Sequence, residues 1–228
     1  MLKVHKIEAG GFNSNIYLII GKKILIIDTG LPAYGERILR TLKYIISGEP
    51  SFRDLPLESA VEGVVLTHFH FDHSGNGSLF SRELKCRVFA HQNGVGILAS
   101  GGDEILASAF GSRFEPLDPL GTSGIEEGYT FMLGDEEPDR VQVLHTPGHT
   151  SDSISLYLPA SKVLFCGDLM FAGGAVGRTD LPTGDEGKLR ESLKKLTLYD
   201  IKTIHPGHGN SIIADANNYI HALSEGFW

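Results

Sequence analysis

The chain has 228 residues, 41% of them hydrophobic and 21% charged, with a formal net charge of -8. That length and balance predict one good-sized domain over residues 1–228, exclude wholesale disorder, and argue against nucleic acid as the main partner, because phosphate binding needs basic patches. Two distant cysteines, Cys86 and Cys166, do not make a disulfide framework, no apolar run approaches the roughly 20 residues that span a bilayer, and the opening MLKVHKIEAGG lacks a signal peptide's apolar core, so a cytoplasmic protein without a membrane partner is expected.

Asn15 to Ile20 and Ile24 to Ile27 are apolar runs separated by Gly21-Lys22-Lys23, the pattern of a hairpin of buried strands. The second run ends on Asp28-Thr29-Gly30, where Asp28 can either accept bonds from a functional loop or turn back on its own backbone. Ala33 to Ser47 carries Ile38, Leu39, Leu42, Ile45 and Ile46 at helical spacing, with a Gly-Glu-Pro stop behind it. Val64-Val65-Leu66 then reads as a buried strand.

That strand ends in Thr67-His68-Phe69-His70-Phe71-Asp72-His73, three imidazoles and a carboxylate where open α/β sheets place their ligand sites. Nitrogen and oxygen donors without a thiolate suit zinc, iron or manganese better than calcium or magnesium. Neighbours so close in an extended segment point in different directions, which predicts two adjacent metal sites rather than one. Beyond Gly75, a short helix is expected over Gly77 to Leu84 and a strand over Cys86 to Ala90, with His91 at its end read as a surface residue. From Asn93 to Glu127 glycines and prolines break the pattern; Ile105, Leu106 and Phe110 suggest only a short helix, and the region suits substrate-covering loops.

Three further strand exits carry ligand types. Tyr129 to Leu133 and Arg140 to Leu144 read as strands, the latter running into His145-Thr146-Pro147-Gly148-His149, where the Pro-Gly turn can aim His149 back at the first loop and His145 is structural. After a strand at Ser153 to Leu158, Lys162 to Gly167 delivers Asp168, a candidate to bridge two metals because a carboxylate has two oxygens to share; Cys166 beside it reads as a small buried hydrophobe. The glycine-rich stretch from Phe171 to Asp185 lacks phosphate-loop spacing. A helix over Asp185 to Leu198 has Leu189, Leu193 and Leu196 on one face, and the strand Ile201 to Ile204 enters His205-Pro206-Gly207-His208-Gly209, with His208 the ligand candidate and His205 structural. A closing helix over Asp215 to Leu223 carries a surface His221.

Taken in order, His68, His70, Asp72, His73, His149, Asp168 and His208 resemble the ligand series of the metallo-β-lactamase superfamily, and within it the glyoxalase II-like hydrolases. The resemblance runs from Asn15 to the Pro-Gly-His-Gly turn at His208. It implies an α/β fold, a four-layer αββα sandwich of two similar β-rich halves with the metals in a cleft at one end of the sheets. One metal would be held by His68, His70 and His149, the other by Asp72, His73 and His208, with Asp168 between them. Glyoxalase II proper is longer and carries a C-terminal helical domain with basic residues for the glutathione carboxylates; with only about twenty residues after the His208 turn, no such domain is expected here. Gly177-Arg178-Thr179-Asp180 instead resembles the short, single-domain glyoxalase II-like proteins, and is also similar to a stretch of the persulfide dioxygenases. Zinc β-lactamases usually have Cys where Asp168 stands.

The resemblance thus implies a hydrolase with two zinc ions, or iron or manganese in their place, acting on a thioester or related acyl ester. Asp72 and Asp168 would be its catalytic carboxylates. Arg178 or Lys188 either holds a substrate carboxylate or is an ordinary surface cation. The alternative is a dioxygenase with one iron on His68, His149 and Asp168, a two-histidine, one-carboxylate face; a metal-dependent nuclease is a third reading, against which the acidic balance counts.

Overall fold

A computed structural model describes residues 2–226. Strands β1 (Lys3–Glu8), β2 (Asn15–Ile20) and β3 (Ile24–Ile27) form an antiparallel meander. Helix α1 (Gly35–Gly48) and the single turn α2 (Leu57–Ala60) lead to β4 (Val61–Val65), which joins β3 in parallel. Next come the helical turn α3 (Phe71–Ser74), helix α4 (Gly77–Leu84) and β5 (Arg87–His91), then α5 (Gln92–Ser100) and β6 (Thr122–Ile125), so the first sheet runs β1-β2-β3-β4-β5-β6. In the second sheet β7 (Thr130–Met132), β8 (Arg140–His145), β9 (Ile154–Leu158) and β10 (Val163–Gly167) are antiparallel neighbours. Helix α6 (Glu186–Leu196) carries the chain to β11 (Thr203–Pro206), parallel to β10, and α7 (Ala216–Ser224) follows.

The four layers follow from the period of the strands. Along β2 and β3 every residue is buried, but alternate side chains belong to different cores: Ile16, Leu18, Ile24 and Ile26 meet the outer helices, while Tyr17, Ile19, Leu25 and Ile27 meet the second sheet. Helix α1 closes the first face with Ile38, Leu39, Leu42 and Ile46, and α6 closes the far face with Leu189, Leu193 and Leu196 beside Ile220 of α7. Asp185 starts α6 by accepting the Lys188 backbone N–H at 3.0 Å, which satisfies one of the unpaired donors of its first turn. The result is the expected αββα sandwich of two mixed sheets. No helix among the described residues is long and apolar enough to cross a membrane.

Four local readings are corrected. Lys3–Glu8 and Thr122–Ile125 are edge strands that their sparse apolar pattern does not announce. Gln92–Ser100 is a helix despite two glycines, because burial of Gly94 and Leu98 outweighs poor propensity. The helix suggested around Ile105 to Phe110 is two 3-10 turns, Asp103–Ile105 and Ala107–Phe110, joined at Leu106 with φ 66°. And the loop behind β4 is not extended throughout: it is extended to His70 and then winds into α3, so that His68 and His70 diverge from Asp72 and His73 by a change of backbone conformation.

Candidate metal centre

Every candidate side chain leaves the C-terminal end of a strand. β4 delivers His68, His70, Asp72 and His73; the turn after β8 delivers His149; β10 delivers Asp168; and β11 delivers His208. The fold brings all seven together. Donor atoms lie within 4.8 Å of one another in three groups: His68, His70 and His149; Asp72, His73 and His208; and His68, His73 and Asp168. His70 Nδ1 stands 3.1 Å from His68 Nε2 and 2.9 Å from His149 Nε2. On the other side His208 Nε2 lies 3.0 Å from Asp72 Oδ2 and 3.3 Å from His73 Nε2. Asp168 sits between them, Oδ1 at 3.3 Å from His73 Nε2 and Oδ2 at 3.8 Å and 3.5 Å from the Nε2 atoms of His149 and His208.

Hydrogen bonds on the outer nitrogens orient these rings. His149 Nδ1 donates to the Arg178 carbonyl at 2.7 Å, which leaves the Nε2 lone pair facing the site. His73 Nδ1 lies 2.8 Å from Asp28 Oδ2, and the same carboxylate accepts the Thr67 N–H and hydroxyl at 2.7 and 2.9 Å. Of the two readings of Asp28, the bond to the functional loop is therefore the one observed. Asp28 has φ 61°, a left-handed conformation that aspartate tolerates better than most residues.

The electrostatics suit a cation. Burial, and then the neighbouring imidazoles His73 and His70, pushes His68 well below the usual histidine range, and burial takes His70 down to about 3, so both are neutral donors at pH 7. Burial opposes charge at His73 as well, but the carboxylates of Asp168, Asp28 and Asp72 outweigh it and raise that imidazole. Asp168 is itself held far below the carboxylate range by His73 and His208, against the effect of its burial. Its Oδ1 is buried without a hydrogen-bond partner, and one proton on His70 Nδ1 could serve only one of the two nitrogens facing it. Positive ions between these lone pairs would satisfy both defects, so the donor set fits two metals.

Two glycines keep the site open. A Cβ on Gly207 would lie 2.1 Å from Asp168 Oδ1 and 2.6 Å from His73 Cε1, inside the cluster. Gly148, at φ 139°, lets the His149 turn press on α6, where a Cβ would meet the Leu189 backbone at 2.4 Å. The His208 turn is gripped from the first sheet: Asn15 donates from Nδ2 to the Pro206 carbonyl at 3.0 Å and from its N–H to that of Gly207 at 2.6 Å, while the Tyr17 hydroxyl donates to Pro206 at 2.7 Å. Near the His149 turn, Asp152 accepts the Thr150 hydroxyl at 2.7 Å, and burial lifts its carboxyl to about 7.

The remaining candidates divide. Arg178 lines the cleft, but its guanidinium is two-thirds exposed and bonded twice to Asp180, at 2.9 and 2.8 Å; Lys188 is exposed on α6 outside the lining. Cys166 is buried, with its thiol pushed up to about 12 by burial, and His205 is structural, stacked on Phe165 and bonded to Ser211. His91 is a correction. It is buried rather than on the surface: its Nδ1 accepts the Asn93 N–H to cap α5, and its ring stacks on His145 with centroids 3.8 Å apart. The signal for Asp28 was its place at a strand end; Asp152, Asn15 and Tyr17 gave none, because their partners are distant in sequence or are backbone groups.

Comparison with known proteins adds an independent line. The metallo-beta-lactamase superfamily model matches residues 9–208. A probable metallo-hydrolase of Methanocaldococcus jannaschii is 34% identical over 211 residues, covering 90% of this chain and 91% of the relative. The hydroxyacylglutathione hydrolase GloC of Haemophilus influenzae is 29% identical over 220 residues, 92% of each chain. Among solved structures, TTHA1623 in a di-iron-bound form superimposes with a TM-score of 0.71 at 28% identity, over 92% of this chain and 94% of that one.

Proposed function

The chain belongs to the metallo-β-lactamase superfamily, and we propose that within it this protein is a binuclear metal-dependent hydrolase, with zinc as the native ion, that cleaves a thioester or related acyl ester of a small molecule. The observation that carries the reading is the pair of donor groups meeting at Asp168. His68, His70 and His149 would hold one ion and Asp72, His73 and His208 the other, with Asp168 standing between the two groups. Bound there, two such ions would supply hydroxide near neutral pH, since metal coordination lowers the pKa of water from about 15.7 towards 7, and would polarise a carbonyl.

The chain's own residues do the rest. Asp28 and the Arg178 carbonyl fix the tautomers of His73 and His149, so their site-facing nitrogens are lone pairs. Burial keeps His68 and His70 unprotonated. Asp72 and Asp168 are the catalytic carboxylates, both held ionised by the imidazoles around them, and they orient the attacking water. A thiolate leaving group needs little protonation, so the site works without a separate general acid. Both cysteines are free thiols, which supports a reducing, cytoplasmic setting.

A single iron on His68, His149 and Asp168 would leave Asp72, His73 and His208 converging without a role, which weighs against the dioxygenase reading. Iron is nonetheless the chief rival to zinc, given the di-iron form of a relative. The test is metal content on protein grown without added metal, with assays of S-lactoylglutathione hydrolysis and of oxygen uptake on glutathione persulfide. Near two metals per chain, with ester or thioester turnover abolished in Asp168→Ala, is expected; one iron with oxygen uptake alone overturns the proposal.

A further inference from the structure

Above the donor cluster the cleft encloses about 450 Å3, within the range of small-molecule sites. Its floor is polar, made by His70, Asp72, His149, Asp168 and His208, but its walls are Phe12, Leu106, Phe110, Phe171, Val176 and Leu181. Among the described lining residues Arg178 is the one lysine or arginine, and it is already neutralised by its double bond to Asp180. A tripeptide thiol such as glutathione carries two carboxylates and an ammonium at neutral pH, and these walls offer them no counter-charges. A small hydroxyacyl group would likewise leave its hydroxyl facing aromatic carbon, at the desolvation cost of an unpaired polar group.

The apolar wall is also built with care. Leu106 is a bulky residue held at φ 66° between two 3-10 turns, a conformation that costs energy unless its surroundings require it, and it faces the cleft. Phe110 on the second of those turns packs at 5.8 Å on Phe71, the residue between His70 and Asp72, so the wall is braced on the loop that supplies the donors. Phe12, which also lines the cleft, follows Gly10 and Gly11, both at positive φ, and leaves 82% of its surface exposed. That ring is unburied apolar area beside the reaction site, which an apolar substrate would cover.

We propose that the group cleaved here is an apolar acyl chain, alkyl or aryl and of about four to eight carbons, presented on a thiol other than glutathione, with Phe12, Leu106 and Phe110 setting the length preference. This rests on the acyl-hydrolase reading above. The experiment uses metal-loaded protein and one series of N-acetylcysteamine thioesters, acetyl, lactoyl, butyryl, hexanoyl and benzoyl, with S-lactoylglutathione beside them. At about 0.8 kcal/mol per buried methylene, kcat/KM should rise about fourfold per added carbon until the wall is filled, reaching at least tenfold for hexanoyl over acetyl. Phe110→Ala and Leu106→Ser should flatten that gradient. Calorimetry with the uncleavable thioethers S-hexyl- and S-methyl-N-acetylcysteamine reads the same preference without turnover, tighter for hexyl. Equal or better cleavage of S-lactoylglutathione than of the hexanoyl ester overturns the inference and leaves the hydrolase intact. If no thioester is cleaved, this inference fails as to the thiol, and the hydrolase reading then rests on its acyl-ester form; tighter binding of the hexyl thioether still supports an apolar ligand, and equal or absent binding sinks that too.

Discussion

In the half built on the first sheet, His68, His70, Asp72 and His73 leave a single strand exit within six residues, whereas the second sheet contributes His149, Asp168 and His208 from three separate turns. The first arrangement is local: one change from extended to helical backbone after His70 separates the two donor pairs, and one buried carboxylate, Asp28, ties the loop to β3. The second is a product of tertiary structure. Its three donors meet only because β8, β10 and β11 end at the same level, and each turn is fixed by something remote from it in sequence. Local geometry should therefore tolerate damage that the assembled half does not.

The most severe break is Asp168→Ala. It removes the carboxylate that touches imidazoles from both halves, and kcat/KM should fall by about 10³-fold or more, the scale of losing a charged group aimed at the reacting centre, with metal content per chain reduced. Asp152→Asn probes the His149 turn through pH. The wild-type carboxyl is raised from 3.8 to about 7 on folding, so its contribution to stability is fully present below about pH 4, falls as the unfolded chain ionises first, and is lost above 7. Asparagine keeps an acceptor for Thr150 and removes that slope. Denaturant unfolding should show the variant gaining up to about 4 kcal/mol over wild type at pH 8 and little at pH 4.

Gly148→Ala should cost about 2–3 kcal/mol by the same measurement, since the new methyl meets the Leu189 backbone at an already disfavoured φ, and His149 should lose its aim with it. Asp28→Asn is the mildest. The loop keeps its backbone and loses only the anionic partner of His73, so metal affinity by competition with a chelator should drop about 10- to 100-fold while the fold survives. If Asp28→Asn proved as damaging as Asp168→Ala, the distinction between a local and an assembled half would collapse.

The same distinction governs what can be read from sequence. The run from Thr67 to His73 is legible because donor types and strand signal are contiguous, and β2, β3 and β10 because their apolar runs are dense. The later donors are legible one by one as strand exits, and as a set only through resemblance to a family. What escaped depends on contacts no local pattern records. Thr122–Ile125 is a strand because β5 offers it an edge, Gln92–Ser100 is a helix because it is covered, and His91 is buried because His145 happens to lie flat against it. Asp152 is invisible for the same reason: nothing around it in sequence says that its Oδ2 ends up sealed without a partner.

The grip of Asn15 and Tyr17 on the turn at Pro206 and Gly207 has a consequence for biosynthesis. Strand β2 leaves a ribosome long before the turn it must hold, since Asn15 and Pro206 are 191 residues apart. That separation is more than four-fifths of the 228 residues, so the first loop's four donors are made well before their partners, and long-range closure of this kind is slow. The donor group of Asp72, His73 and His208 is complete only once His208 has been added. Assembly of the whole donor set therefore waits on the chain folding back across its length and is not achieved by the first loop alone.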